Sequence, residues 1–200
     1  MRDVGYAMIS VIIPAINAEA TLPAVLQSIF DAAMEGLVSE VIVCDGGSAD
    51  ATREIADTAG ATVIQAGSGQ ELLAGAEAAR KPWLLLLHAD AVLDKGWEKE
   101  ATAFIARGEI LAAAFRVRFV PEGKTSAFSE VLRGIKARAF RAQRCCPALL
   151  IPAKLLEAAG DAVASAPFYE SELVKRLGPK RFIKFQSAVS VALSPGKAQQ

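Results

Sequence analysis

Residues 84–90 read Leu-Leu-Leu-Leu-His-Ala-Asp, an apolar run that ends abruptly in a histidine and a carboxylate. A run of this kind predicts a strand that is buried on both faces, as in the middle of a parallel sheet. Asp90 then follows the carboxyl end of the strand, where open α/β sheets bind their ligands. Two interpretations follow: Asp90 holds a divalent cation that binds a diphosphate, or it only caps the next helix.

The residues up to about 107 alternate between strand and helix patterns. Apolar runs predict strands at 8–14, 40–44, 61–65 and 83–87. Apolar spacing and capping residues predict helices at 20–34, from Ser48 or Asp50 to about Ala59, and at 70–80. This alternation indicates right-handed βαβ units. The predicted fold class is therefore α/β, with three α/β/α layers around a mainly parallel sheet.

The second half of the chain is less regular. Its patterns predict strand structure at 110–120, a helix with a basic face at 126–144, a strand at 149–151, helices at 154–159 and 170–177, and a strand at 182–193. No repeat or linker divides the sequence, so residues 1–200 are predicted to form a single domain.

Composition and charge exclude several classes of protein. Apolar residues make up 52% of the 200 residues, which argues against disorder, and the formal net charge of zero gives no general attraction to nucleic acid. The three cysteines have no Cys-x-x-Cys spacing, so a disulfide framework or a structural zinc site is not expected. Neither a signal peptide nor an apolar stretch that could span a bilayer is evident, so we expect a cytoplasmic protein.

A glycine turn follows the second predicted strand. Asp45-Gly-Gly-Ser48 comes directly after Val41–Cys44, and its glycines permit a tight turn and close approach of a ligand to the backbone at Gly46. Asp45 then lies at a strand end, where it could accept hydrogen bonds from a base or sugar. The alternative is an ordinary strand-to-helix turn in which Ser48 and Asp50 only cap the helix.

Three segments, in order, resemble the motifs of family 2 glycosyltransferases, which have the nucleotide-sugar-binding GT-A fold. They are Pro14-Ala-Ile-Asn17, Asp45-Gly-Gly-Ser-Ala-Asp50-Ala-Thr52 and His88-Ala-Asp90. They look most like the small bacterial branch that carries Asp-Gly-Gly-Ser and a Leu-His-Ala-Asp version of the Asp-x-Asp motif. The resemblance covers about the first half of the chain.

The resemblance implies a role for each matching residue. Pro14, Ala15 and Asn17 are implied to line the nucleotide pocket. Asp45 is implied to contact the base, and Asp50 to support the loop that carries Asp45. Gln70 is implied to keep part of a contact with the donor. Asp90 is implied to coordinate Mg²⁺ or Mn²⁺ at the donor diphosphate. His88 stands where many relatives have the first aspartate, and an imidazole there suits Mn²⁺ or a phosphate contact. A structural role for His88 is equally open.

The catalytic base of the relatives is an aspartate at the start of a late helix. Counting back from Arg176-Leu-Gly178 aligns Glu170 with it, although Glu170 is also a residue type that the helix dipole favours in a first turn. The segment Arg144-Cys-Cys-Pro-Ala148 departs from the Gly-Asp-Gln-Gly type segment of relatives, and the arginine that they place after Gly67 is absent. These departures put the acceptor side in question.

The resemblance leads to three function hypotheses. The first is a metal-dependent, inverting glycosyltransferase that uses a UDP- or GDP-linked sugar, with residues 8–107 as the nucleotide-sugar-binding half and 108–193 as the acceptor half. The second is a protein that binds the nucleotide or nucleotide sugar without turnover. The third is a peripheral membrane adaptor, because the basic amphipathic helix predicted at 126–144 could rest on an anionic membrane or simply pack on the sheet. Nucleic acid is not an expected partner.

Overall fold

A computed structural model of the chain describes residues 9–67, 69–121, 146–160 and 169–193. The strands are β1 Ile9–Ala15, β2 Val38–Asp45, β3 Thr62–Gln65, β4 Trp83–Leu87, β5 Ala91–Leu93, β6 Ala112–Pro121, β7 Ala148–Pro152 and β8 Phe182–Leu193. The helices are α1 Leu22–Met34, α2 Thr52–Thr58, α3 Glu71–Ala78, α4 Trp97–Ile105, α5 Ala153–Ala159 and α6 Tyr169–Leu177. A short 3₁₀ turn at Pro179–Arg181 precedes β8.

All of these strands belong to one sheet, in the order β3-β2-β1-β4-β7-β6-β8-β5. The pairs β1–β2, β1–β4, β2–β3 and β6–β8 are parallel. The pairs β4–β7, β6–β7 and β5–β8 are antiparallel. The carboxyl ends of β1 to β4 therefore meet at one edge of the sheet, which we call the carboxyl edge, and β7 begins there because Ala148 pairs with Leu87.

The sheet must curl between β4 and β5. In sheet order β5 is four positions from β4, which is about 19 Å in a flat sheet. Along the chain, however, Leu87 and Ala91 are only four residues apart and can be separated by at most about 14 Å. The turn at residues 88–90 can join the two strands only because the sheet bends back towards β4.

The strand that contains the opening motif is buried on both faces, as predicted. Leu85 and Leu87 point into the apolar core on the side of α1, α2 and α4. Leu84 and Leu86 point into the core on the side of α3, α5 and α6. This alternation along β4 creates the predicted three layers, since each face of the sheet needs its own helical cover.

An aromatic cluster fills the first of these cores. Trp97 of α4 packs edge-on against Phe115 of β6, with ring centroids 6.3 Å apart, and Phe104 of α4 packs edge-on against Phe185 of β8 at 5.3 Å. Phe115 and Phe185 also contact each other edge-on at 5.1 Å. Trp83 of β4 adds a further edge contact with Phe104 at 5.7 Å. The cluster ties the late strands to the early ones, so strands from both halves of the sequence share one core.

Two elements were missing from the sequence-based prediction. The strand β5 has only three residues, too few for a periodic pattern, and α4 is preceded by Gly96 with a positive φ of 92°, so no side-chain cap marks the start of this helix. By contrast, the predicted bounds of β4 and β8 are confirmed residue for residue. The segment predicted at 110–120 is a single strand that begins at Ala112. The basic helix predicted at 126–144 lies outside the described residues.

No helix in the described part of the chain is both long enough and apolar enough to cross a membrane.

Candidate functional site at the carboxyl edge

The turn after β4 presents Asp90 to solvent. The N–H of Ala91 donates to the carbonyl oxygen of His88 at 3.0 Å, and the N–H of His88 donates to the carbonyl oxygen of Pro147 at 2.9 Å. His88 is half-buried, whereas Asp90 is exposed. The next element is the strand β5, so the interpretation that Asp90 caps a following helix is wrong. An exposed carboxylate and an imidazole therefore lie two residues apart on one fixed turn.

The loops after β1 and β2 are joined by reciprocal hydrogen bonds. The N–H of Asn17 donates to Ser48 Oγ, and the N–H of Ala49 donates to Asn17 Oδ1, both at 2.9 Å. The N–H of Ala18 donates to Thr52 Oγ1 at 2.8 Å. Asn17 has a φ of 49°, a left-handed conformation that asparagine tolerates better than most residues. The two motif loops thus form one rigid unit.

Asp50 belongs to this unit and also bonds to Thr52, the first residue of α2. Its carboxylate accepts from the N–H of Glu19 at 3.1 Å and from the N–H of Thr52 at 3.0 Å. The pKa of the Asp50 carboxyl is held below its ordinary value: partial desolvation acts to raise it, but the bonds from Thr52 and Glu19 together outweigh that effect. Ser48 does not cap the helix, because its hydroxyl oxygen accepts from Asn17 instead.

Asp45 is buried beneath its own turn. Its side chain is 0% exposed, and its oxygens accept from the N–H of Gly47 at 3.3 Å and of Ser48 at 3.0 Å. Arg53 Nε lies 3.4 Å from Asp45 Oδ2, and the same guanidinium donates to the carbonyl oxygen of Ser48 at 3.1 Å. The carboxylate therefore fixes the turn, and a base could contact it only if the turn shifted, because no part of the side chain is exposed.

Gly46 lies where the loops after β1 and β2 meet the start of α3. A Cβ atom there would be 2.3 Å from Glu71 Oε1 and 2.6 Å from two carbon atoms of Ile16. The N–H of Gly46 donates to the carbonyl oxygen of Ala15 at 2.9 Å. The predicted need for glycine is therefore a packing requirement here, because any side chain would displace Glu71 and Ile16.

The remaining predicted donor residues lie along the same edge. Pro14 and Ala15 end β1, with Pro14 half-buried and the Ala15 side chain in the core. Gln70 is exposed just before α3, and its side-chain oxygen would lie 3.4 Å from a Cβ at Gly67. The carboxyl edge thus brings together the predicted residues from four consecutive loops.

Glu170 lies in the first turn of α6, where the sequence predicts a helix start. Its side chain is outside the described part of the structure. Its neighbour Glu172 accepts from Lys175 at 3.1 Å and from Arg176 at 3.2 Å. These bonds from Lys175 and Arg176 hold the pKa of Glu172 below its ordinary value, so Glu172 is a poor proton acceptor.

A cation at this edge would need ligands beyond the protein. Among the described residues no group of three or more histidine, cysteine, aspartate or glutamate side chains is close enough to form a metal site. The His88 to Asp90 turn offers one nitrogen and one carboxylate, which fits a borderline cation such as Mn²⁺ that is completed by phosphate oxygens and water.

Three residues near the site were not predicted: Ile16, Arg53 and Glu71. Arg53 carried a signal, since a cation in the first turn of α2 is disfavoured by the helix dipole unless an acid such as Asp45 compensates it. Glu71 carried none, because a glutamate at a helix start is normally a solvated residue that the dipole favours.

Comparison with known proteins agrees with this architecture. Glucosyl-3-phosphoglycerate synthase from Mycobacterium tuberculosis is 48% identical over 56 residues, which are 28% of this chain and only 17% of the synthase. The crystal structure of that synthase matches 97% of this chain and 74% of its own, with a TM-score of 0.64 and 22% identity. Its complex with Mn²⁺ and UDP-glucose matches 94% of this chain and 70% of its own, with a TM-score of 0.62 and 22% identity.

A second solved structure has the same fold. Residues 1–349 of TarS from S. aureus match 92% of this chain and 60% of that one, with a TM-score of 0.67 and 20% identity. At the sequence level, the model of the family described as glycosyl transferase family 2 matches residues 10–148. That range covers well over half of the chain and includes the loops after β1, β2 and β4. This protein therefore belongs to glycosyl transferase family 2.

Proposed function

We propose that this chain transfers a sugar from a nucleotide-diphosphate donor to an acceptor hydroxyl, with a divalent cation and inversion at the anomeric carbon. The observation that carries the proposal is the convergence of the tied β1 and β2 loops with the exposed His88 to Asp90 turn at one sheet edge. Residues 8–107 supply the donor half, and residues 108–193 supply the acceptor half.

The donor half would hold the nucleotide without large rearrangement. Asn17, Ser48 and Asp50 already hold the two loops together, so little conformational entropy is lost when the nucleotide binds. Asp45 would contact the base after a shift of the turn that covers its buried carboxylate, and Gly46 would allow the backbone to approach the ligand. Pro14, Ala15 and Gln70 would border the nucleotide.

His88 and Asp90 would hold the cation at the diphosphate. Both are at the carboxyl edge, and the turn is anchored by the bond from His88 N–H to the carbonyl oxygen of Pro147. When bound, a cation there stabilises the negative charge that develops on the departing diphosphate. The known complex of the related synthase with Mn²⁺ and UDP-glucose supports both the cation and the class of donor.

Glu170 would be the general base that takes the proton of the acceptor hydroxyl. The helix α6 leads into β8 through a short turn, so its C-terminal end lies near the edge where β8 begins. Glu170 is at the opposite end of the helix, about 10 Å from Leu177 along the axis. Helices that precede a strand commonly run antiparallel to it. If α6 runs antiparallel to β8, the end of α6 that carries Glu170 is the end nearer the carboxyl edge.

The experiment is a calorimetric titration of the full chain with UDP and with GDP, each with and without Mn²⁺, followed by an assay of donor hydrolysis. We expect nucleotide binding that Mn²⁺ strengthens, and slow release of free sugar from the matching donor. Binding without any turnover, including in the presence of acceptor alcohols, would favour the binding-only protein. Absence of nucleotide binding under every condition would contradict both and favour the adaptor.

A further inference from the structure

Glu71 is a buried acid with one unpaired side-chain oxygen. The residue is 9% exposed, and its Oε1 has no hydrogen-bond partner among the described residues. Leaving a buried polar oxygen unpaired destabilises the folded state, and more so when the group is charged. This oxygen is closed off from solvent in the structure, so a donor that arrives with a ligand can bond to it only if the Glu71 carboxylate turns outward.

The position of this oxygen is well defined by its neighbours. Glu71 Oε1 lies 2.3 Å from the point that a Cβ atom would occupy at Gly46. The oxygen is therefore packed directly against the backbone of the loop after Asp45. Ile16 reaches the same point at 2.6 Å, and its side chain is 49% exposed. An exposed apolar side chain and an unpaired carboxylate oxygen thus border the same glycine.

The exposed Ile16 side chain and the Glu71 carboxylate together suit a flat heterocycle with hydrogen-bond donors on one edge. Ile16 offers an apolar surface to the ring, and an ionised carboxylate offers acceptors only. The carboxylate is also the free end of a flexible side chain, so rotation of its terminal torsions can turn it towards a ring that lies on Ile16.

We propose that Glu71 reads the base of the donor and selects guanine over uracil, an inference that rests on the proposed function. Guanine carries two adjacent donors, N1–H and the N2 amino group, which match the two oxygens of one carboxylate. Uracil carries a single N3–H between two carbonyl oxygens. When one carboxylate oxygen accepts from this N3–H, a carbonyl oxygen of uracil faces the other carboxylate oxygen, and no proton lies between these two acceptors. A site built around such a pair rejects the mismatched base, because its buried polar atoms would stay unpaired.

The substitution Glu71→Gln tests this with almost no change in shape. A glutamine amide presents one acceptor and one donor, a pattern that fits N3–H and O4 of uracil and places an N–H against a donor of guanine. In the wild type we expect GDP to bind at least about tenfold more tightly than UDP, the equivalent of one unpaired buried group. Glu71→Gln should reduce that ratio about tenfold or reverse it.

The titrations use the full chain with Mn²⁺ and four ligands: GDP, IDP, UDP and ADP. IDP has N1–H but lacks the N2 amino group, so it should bind between GDP and UDP, and ADP should bind poorly because its N1 is an acceptor. Glu77→Gln is the matched control, since Glu77 is exposed on the same helix and the charge change is identical. Its ratio of GDP to UDP affinity should equal that of the wild type.

The outcomes separate this inference from the proposed function. If nucleotides bind and Glu71→Gln leaves the ratio of GDP to UDP affinity unchanged, Glu71 does not read the base and the proposed function stands. If no nucleoside diphosphate binds the wild type, both fail. A thermal melt of each variant shows whether Glu71→Gln is folded. If this variant is unfolded, the order of wild-type affinities, GDP above IDP above UDP, still tests the inference. Equal affinity of the wild type for GDP and UDP overturns it.

Discussion

Asn17 and Ser48 tie the first two loops of the sheet to each other: the N–H of Asn17 donates to Ser48 Oγ at 2.9 Å. The return bond runs from the N–H of Ala49 to Asn17 Oδ1, also at 2.9 Å. Asn17, which the sequence suggests for ligand contact, and Ser48, which it suggests only as a helix cap, therefore have a structural function. They hold the loops after β1 and β2 in one position.

Ser48→Ala should lower the free energy of unfolding by about 1 kcal/mol, because the N–H of Asn17 loses its acceptor in a partly buried place. Urea denaturation measures this change. Ser39→Ala is the matched control, since Ser39 is exposed on β2, and it should stay within about 0.5 kcal/mol of the wild type. Equal losses in the two variants would mean that the bond between the loops contributes nothing.

Asp90→Asn should weaken the effect of Mn²⁺ on nucleotide binding by about tenfold or more, while leaving stability within about 0.5 kcal/mol, because the side chain is exposed. Calorimetry with and without the cation measures the first quantity, and a thermal melt measures the second. Asp57→Asn, at an exposed position on α2, is the control. An undiminished Mn²⁺ effect in Asp90→Asn would remove this residue from the cation site.

Glu170→Gln should reduce the rate of sugar transfer or donor hydrolysis by about 10²-fold or more while nucleotide affinity is unchanged, as expected when a general base is lost. Glu172→Gln is the matched control on the same helix, because the ion pairs of Glu172 with Lys175 and Arg176 keep it from acting as a base. Rates that fall equally in the two variants would point to the helix rather than to Glu170.

Acid should destabilise the protein partly through Glu40. Burial acts to raise the pKa of this carboxyl, but hydrogen bonds from Ser10 and Arg80 outweigh it, so the pKa lies below its ordinary value. A lowered pKa means that the stabilisation is present above the unfolded pKa of about 4.3 and is lost as the pH falls through the folded value.

Between pH 6 and pH 3, Glu40→Gln should therefore show a smaller decline in Tm than the wild type. Glu35→Gln, at an exposed position after α1, should retain the wild-type decline. A wild-type slope in Glu40→Gln would show that Glu40 does not contribute to acid unfolding.

Cys44 should resist alkylation in the folded protein. Burial first, and the charge of Glu71 second, raise the pKa of its thiol to about 12, so the reactive thiolate is on the order of 10⁻⁴ of the population at pH 8. Iodoacetamide labelling followed by peptide mapping measures Cys44 separately from Cys145 and Cys146. Labelling should become rapid in urea, and equal rates with and without urea would contradict the burial of this thiol.

The local elements of this protein were largely predictable from its sequence. The run Leu84 to Leu87 has no polar residue, so it could only be satisfied as a strand covered on both faces, and the bounds of β4 are confirmed. The exposed position of Asp90 after that strand, and the edge at which the motif loops meet, followed from the direction of parallel strands. These features depend on short-range periodicity and chain direction, which a sequence contains.

Tertiary structure decided the features that depend on distant neighbours. The three-residue strand β5 exists because β8 pairs with it, and this pairing makes the residues 88–90 a turn between strands instead of the start of a helix. The burial of Glu71 beside Gly46, and the bonds between Asn17 and Ser48, bring together residues that are 25 and 31 positions apart. No local pattern encodes such contacts, because they arise only when the sheet sets its loops side by side.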